Sequence, residues 1–108
     1  MQGIGVGTQT VEGKVRIIKN GNACVDFNEG DILVSTATDA EMNNYIEKAG
    51  AVVTENGGMT SHTAIVGINL DIPVIVSAAD ITNLVKDGEV VTVDASRGVV
   101  YRGSTRVL

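Results

Sequence analysis

The sequence predicts a mixed α/β domain built around a single sheet core. Three observations lead there. Short runs of Val, Ile and Ala bounded by glycine, proline or asparagine read as buried strands at residues 31–35, 51–54 and 73–77. Between them the apolar spacing changes from two to steps of three and four, the period of helices. Strand-like segments open the chain and a hairpin pattern closes it, so strands come first, then alternating strands and helices, then a final pair of strands. A length of 108 residues with 44% hydrophobic content fits one domain with one modest core. Only 3% of residues are aromatic, so that core rests on Val, Ile, Leu and Ala.

In chain order, "GIGVG" (residues 3–7) reads as a flexible strand. It is not a dinucleotide fingerprint, because the third glycine is missing and no helix follows. "GTQTVEGKVRII" alternates Val11, Val15 and Ile17 around Glu12-Gly13, which predicts a turn there and hence a hairpin or a bulged strand. "NGNA" at residues 20–23 is a turn. "DILVS" follows the break at Gly30. "TDAEMNNYIEKAG" places Met42, Ile46 and Ala49 on one helical face. Thr38 with Glu41 matches a capping box, Lys48 lies in the last turn, and Gly50 closes the helix. "AVVT" is a strand broken by Asn56-Gly57-Gly58. "SHTAIVGINL" (residues 61–70) is a second helix, ended before Pro73. "PVIVS" is a strand, "ADITNLV" a short helix and Asp87-Gly88 a turn. "EVVTVD", "ASRG" and "VVYRG" form the closing hairpin.

The formal net charge is −5 and the eight Lys and Arg residues are scattered. That supplies no basic patch for phosphate backbones and argues against nucleic-acid and membrane-surface partners. The single cysteine, Cys24, gives no internal disulfide framework and suits a reducing compartment. No apolar run approaches the roughly 18 residues of a membrane span. "MQGIGVGTQT" lacks the basic and apolar regions of a signal peptide. These features predict a soluble, cytoplasmic chain, short enough to be an excised piece of something longer.

The stretch that points to chemistry is "ENGGMTSHT", which holds the only histidine, His62. A strand ends, two glycines let the backbone turn and let another group approach, and Thr60 or Ser61 can cap the helix that follows. His62 then falls in the first turn. Unpaired N–H groups and the helix dipole make such an end receptive to anions, phosphate above all. A neutral imidazole has one ring nitrogen with a free lone pair. A positive helix end disfavours the imidazolium and would stabilise a phosphoryl group once transferred. A hydroxyl on the other ring nitrogen would fix its direction. On spacing alone, a cap or an ordinary surface histidine explains the same residues. A Ser61–His62 hydrolase is poor, because adjacent residues rarely align and no carboxylate is placed to orient the ring. One histidine without further ligands nearby makes no metal site. Cys24 reads as a core-edge thiol, Arg97 as a solvated turn residue, and Met42 and Met59 as packing.

The string "GGMTSHTAIV" resembles the phosphohistidine motif of the PEP-utilising enzymes, with Gly57, Gly58, Thr60, His62, Thr63, Ala64, Ile65 and Val66 matching position by position. "GDILVSTATDAEM", "LDIPVIVSAADIT" and "LVKDGEVVTVDASRGVVY" resemble the same mobile domain, so the likeness covers nearly the whole chain. It implies a swivelling β/β/α phosphohistidine-type fold with a mixed sheet core and flanking helices. It also implies His62 as phosphoryl acceptor, with Gly57, Gly58, Thr60 and Ser61 holding phosphate. The family's upstream Thr-x-Pro-Glu appears here as "TDAE", with Ala40 in place of proline. The resemblance makes Thr38 the residue that orients the ring, a role that competes with its capping box.

The family's small-Arg pair after the aliphatic residues is Gly67-Ile68 here, and Ile68 cannot meet an anion. The wording "VGINLDIPVIV" and "TVDASRGVVYRGSTRVL" is most similar to the extra C-terminal domain of bacterial pyruvate kinases. That implies a regulatory or interdomain module whose partners are the rest of the parent enzyme and a phosphate-like anion. It implies no cofactor in the domain itself, with magnesium and potassium belonging to the full kinase only. The alternative is an active phosphohistidine carrier with nucleotide and PEP domains as partners.

Overall fold

The computed structural model describes residues 1–18, 27–38, 42–57 and 62–103. Among them, seven strands lie in the order β1-β5-β4-β3-β2-β6-β7. The strands are β1 (Ile4–Val6), β2 (Thr10–Ile17), β3 (Ile32–Ser35), β4 (Ala51–Thr54), β5 (Val74–Val76), β6 (Val90–Asp94) and β7 (Val99–Arg102). The helices are α1 (Asn43–Lys48), α2 (His62–Leu70) and α3 (Ile81–Leu84). The centre of the sheet, β2-β3-β4-β5, is parallel. Antiparallel strands flank it, β1 on one side and the β6–β7 pair on the other.

The sheet curls until its two edges meet. Gln2 bridges Val99, the Gly3 amide donates to the Gly98 carbonyl at 2.8 Å, and the Val100 amide donates to the Met1 carbonyl at 2.8 Å. Glycine makes this seam possible. A Cβ on Gly5 would stand 1.8 Å from the Ala95 carbonyl oxygen.

Period-2 alternation sends neighbouring side chains into two apolar clusters. Ile32, Val34, Ala51, Val53 and Ile75 join Val91, Val93 and Ile81 on one face. Leu33, Val52, Val74 and Val76 join Ile46 of α1 and Ala64 of α2 on the other. Strands β3, β4 and β5 are therefore buried on both faces, which is why they read as unbroken apolar runs rather than alternating ones.

Two local expectations are corrected. Glu12-Gly13 is not a turn: β2 runs straight through it, with Glu12 opposite Thr92 and Gly13 opposite Val91 in unbroken register. Gly13 is small because a Cβ there would lie 2.5 Å from the Gly30 carbonyl oxygen. The capping box expected at Thr38 and Glu41 runs through residues 39–41, which lie outside the described residues. Helix α1 starts at Asn43 with Met42 at its cap and no side-chain cap bond. Gly50 does not end the helix through a left-handed turn. It gives its amide to the Asp31 carbonyl at 3.0 Å, and a Cβ there would meet the Gly30 carbonyl oxygen at 2.8 Å. "GIGVG" supplies β1, paired with β5. The expected turn at residues 20–23 and Cys24 lie outside the described residues.

Candidate functional site

Parallel strands β3, β4 and β5 end on the same side of the sheet, and the loops beyond their carboxyl ends carry the candidate residues. In α/β sheets this is where ligands bind. Ladder-like bonds continue past the strands: the Glu55 amide donates to the Ser35 carbonyl at 3.1 Å and the Asn56 amide to the Thr36 carbonyl at 2.9 Å. The loop that leads to Thr38 and the loop that leads to Gly57 are thereby fixed to each other.

His62 is the first residue of α2 and is half-buried. Its Nδ1 lies 3.1 Å from Oγ1 of Thr38, 24 positions earlier in the chain. The same Thr38 hydroxyl makes a hydrogen bond with the Thr63 hydroxyl. Thr63 is 4% exposed, so the pair is anchored in the protein. Thr38 thus faces the ring and not the start of α1. Among the described residues, Nε2 of His62 has no hydrogen-bond partner.

Gly57 holds φ at +109°, a conformation open to glycine. Its carbonyl accepts the Ser77 hydroxyl at 2.5 Å. Ser77 itself takes φ +58°, in the left-handed region, at the end of β5. Gly58, Met59, Thr60 and Ser61 lie outside the described residues. Of the residues read from the sequence, the structure therefore brings Thr38, His62 and Thr63 together and places Gly57 on the loop before them.

Two residues nearby carried no signal in the sequence. Glu55, just past β4, turns its carboxylate to α3 and accepts the Thr82 amide at 3.0 Å and the Thr82 hydroxyl at 2.6 Å. Asp80, at the cap position of α3, makes no cap bond of its own, so Glu55 replaces it, reaching Thr82 from 27 positions upstream. Ser77 is the other. A serine in a strand ending gives no periodic or spacing cue, and only its contact with Gly57 reveals it.

The electrostatics of this end are one-sided. From residue 49 to residue 85 the chain carries no Lys or Arg, but it carries Glu55, Asp71 and Asp80. Within that stretch, positive potential for an incoming anion comes from the start of α2. Among the described residues no group of three His, Cys, Asp or Glu side chains could hold a metal ion. No helix among them is long and apolar enough to cross a membrane.

Arg97 is solvated, in the turn between β6 and β7, and pairs at 3.8 Å with Asp94. Met42 is buried beside Ile46.

Comparison with known proteins agrees with this arrangement. The pyruvate kinase of Geobacillus stearothermophilus is 47% identical over 108 residues, which is 99% of this chain and 18% of that enzyme. A probable phosphoenolpyruvate synthase of Archaeoglobus fulgidus is 42% identical over 103 residues, 95% of this chain and 14% of that protein. The chain spans less than a fifth of these relatives. Among solved structures, Enzyme I superposes with a TM-score of 0.64 at 29% identity, covering 74% of this chain and 33% of its own. The family described as "PEP-utilising enzyme, mobile domain" matches residues 27–98, two-thirds of the chain. With its curled mixed sheet and a histidine opening α2, the chain belongs to the PEP-utilising enzyme mobile-domain family.

Proposed function

We propose that this chain is the C-terminal mobile-domain module of a cytoplasmic pyruvate kinase, with a regulatory or interdomain role beside a catalytic body that transfers phosphoryl groups between PEP and ADP. The observation that carries this reading is the 47% identity to a pyruvate kinase along 99% of the chain. The exposed Ile68, where phosphotransfer relatives carry a cation, fits a module released from phosphate chemistry. Magnesium and potassium would serve the kinase body and not this domain. Two measurements test the reading. The polypeptide that carries this chain converts PEP and ADP to pyruvate and ATP, and His62→Ala leaves that turnover within twofold. A loss of turnover above tenfold in His62→Ala overturns the regulatory role.

A second reading is favoured by the Thr38–His62 contact: a phosphohistidine carrier. With Nδ1 protonated and donating to Thr38, Nε2 holds the lone pair. That lone pair attacks the phosphorus of a donor such as PEP or a nucleotide. The N–P bond forms, the P–O bond to the donor breaks, and its electron pair leaves on the donor's oxygen. Gly57, Gly58, Thr60 and Ser61 would hold the phosphoryl oxygens. Intact-mass measurement after incubation with PEP, or with ATP, separates the two readings. The module gains nothing, whereas the carrier gains one acid-labile phosphate that His62→Ala abolishes.

A further inference from the structure

Helix α2 packs small residues against the sheet and exposes large apolar ones on the side that faces away from it. Thr63, Ala64 and Gly67 turn inward and are buried. At about 100° per residue, the opposite side carries His62, Ile65, Ile68 and Asn69. Ile65 is 50% exposed and Ile68 60% exposed. No Lys, Arg, Asp or Glu occurs in the helix. Neighbouring large apolar side chains on an uncharged helix are normally covered, yet among the described residues nothing covers Ile65 and Ile68.

Beside Ile68 lies a cavity of about 170 Å³ between the end of α2 and the segment that follows β1. Val6, Ile68 and Ile72 give it apolar walls, and Gln9 and Asp71 give it a polar rim. Asp71 sits where the helix dipole is already negative, and the last turn of α2 contains no basic residue. None of the ion pairs among the described residues involves Asp71. With no cation anywhere in residues 49–85, the face is both apolar and anionic.

We propose that the outer face of α2, together with this cavity, docks against another part of the longer polypeptide, onto an apolar surface that presents a Lys or Arg. The aliphatic stem of that side chain fills the cavity between Ile68 and Ile72, and its charge meets Asp71. Long cationic side chains use their two ends in this way. The proposal rests on the reading of the chain as a module of a longer enzyme, since the relatives are more than five times its length.

The test is amide hydrogen exchange on the complete polypeptide and on the 108-residue chain, compared residue by residue. Residues 65–72 and 6–9 exchange at least tenfold more slowly in the complete polypeptide, while β3 and β4 exchange alike in both. The difference shrinks at least threefold in Ile68→Asp and in Asp71→Asn. The latter removes charge alone, because asparagine tolerates the left-handed backbone at that position (φ +57°). It also shrinks in high salt, which shortens the reach of charge. Equal exchange in the two proteins overturns the docking face, and full protection retained in Asp71→Asn overturns the cationic partner. Pyruvate kinase activity of the same polypeptide is measured in parallel. Its absence overturns the parentage and leaves the docking face to the exchange result.

Discussion

The hydroxyl of Thr38 lies between an imidazole and a second hydroxyl, and both depend on it. Thr38→Val keeps the shape and removes the polar group, which leaves the buried Thr63 hydroxyl without that partner. A stranded buried hydroxyl costs about 1–3 kcal/mol, so urea unfolding should show a loss in that range. Asp94 is a second residue whose chemistry can be read off its contacts. It is fully buried at the end of β6, and Oδ1 accepts the Ser96 hydroxyl at 2.7 Å. That bond, and then the Arg97 amide and guanidinium, hold the carboxyl below its ordinary range. The ionised form is therefore favoured by folding. Its contribution is complete above the unfolded carboxylate value of about 4 and disappears as pH falls through the lowered folded value. Thermal melts should show that Asp94→Asn is less stable than the unaltered protein at neutral pH. Its stability should also fall less steeply between about pH 5 and pH 2. A variant whose acid limb matched the unaltered one would show that Asp94 does not set that limb.

Among the elements, the central strands and α2 were legible because burial on both faces leaves unbroken aliphatic runs and because Pro73 stops the helix. What could not be read is what depends on a contact far along the chain. Gly13 looks like a turn residue, and its role is to let β2 pass the Gly30 carbonyl. Thr38 and Glu41 have capping-box spacing, but the hydroxyl is drawn to a histidine 24 residues away. Glu55 caps α3 from a different strand ending, with no local spacing to announce it. Glu55→Ala should cost about 1–2 kcal/mol, the worth of a helix cap, and should raise amide exchange at Thr82 first. Gly67 marks where α2 presses on β5. A Cβ there would stand 2.2 Å from Cγ2 of Val74, which is fully buried. Gly67→Ala should lose about 1–3 kcal/mol in denaturant unfolding through overpacking. A neutral result would show that α2 can slide outward.

Across the whole molecule, the curl of the sheet was invisible in the sequence, since closure is a property of both edges at once. Glycines mark the place without announcing it: Gly3 and Gly5 lie at the seam against residues 95–98. Gly5→Ala places a methyl group on the Ala95 carbonyl and should part the seam, with a loss of at least about 2 kcal/mol and faster exchange at Gly3 and Val100. The candidate site benefits from the same architecture. Thr38 and His62 hang from the ends of β3 and β4, neighbours in the parallel ladder, whose spacing of about 4.8 Å is set by backbone hydrogen bonds. However the domain is tethered or turned, ring and hydroxyl travel together as one cargo. Reorientation can change what the imidazole meets, while the ladder between β3 and β4 keeps the roots of both loops in register.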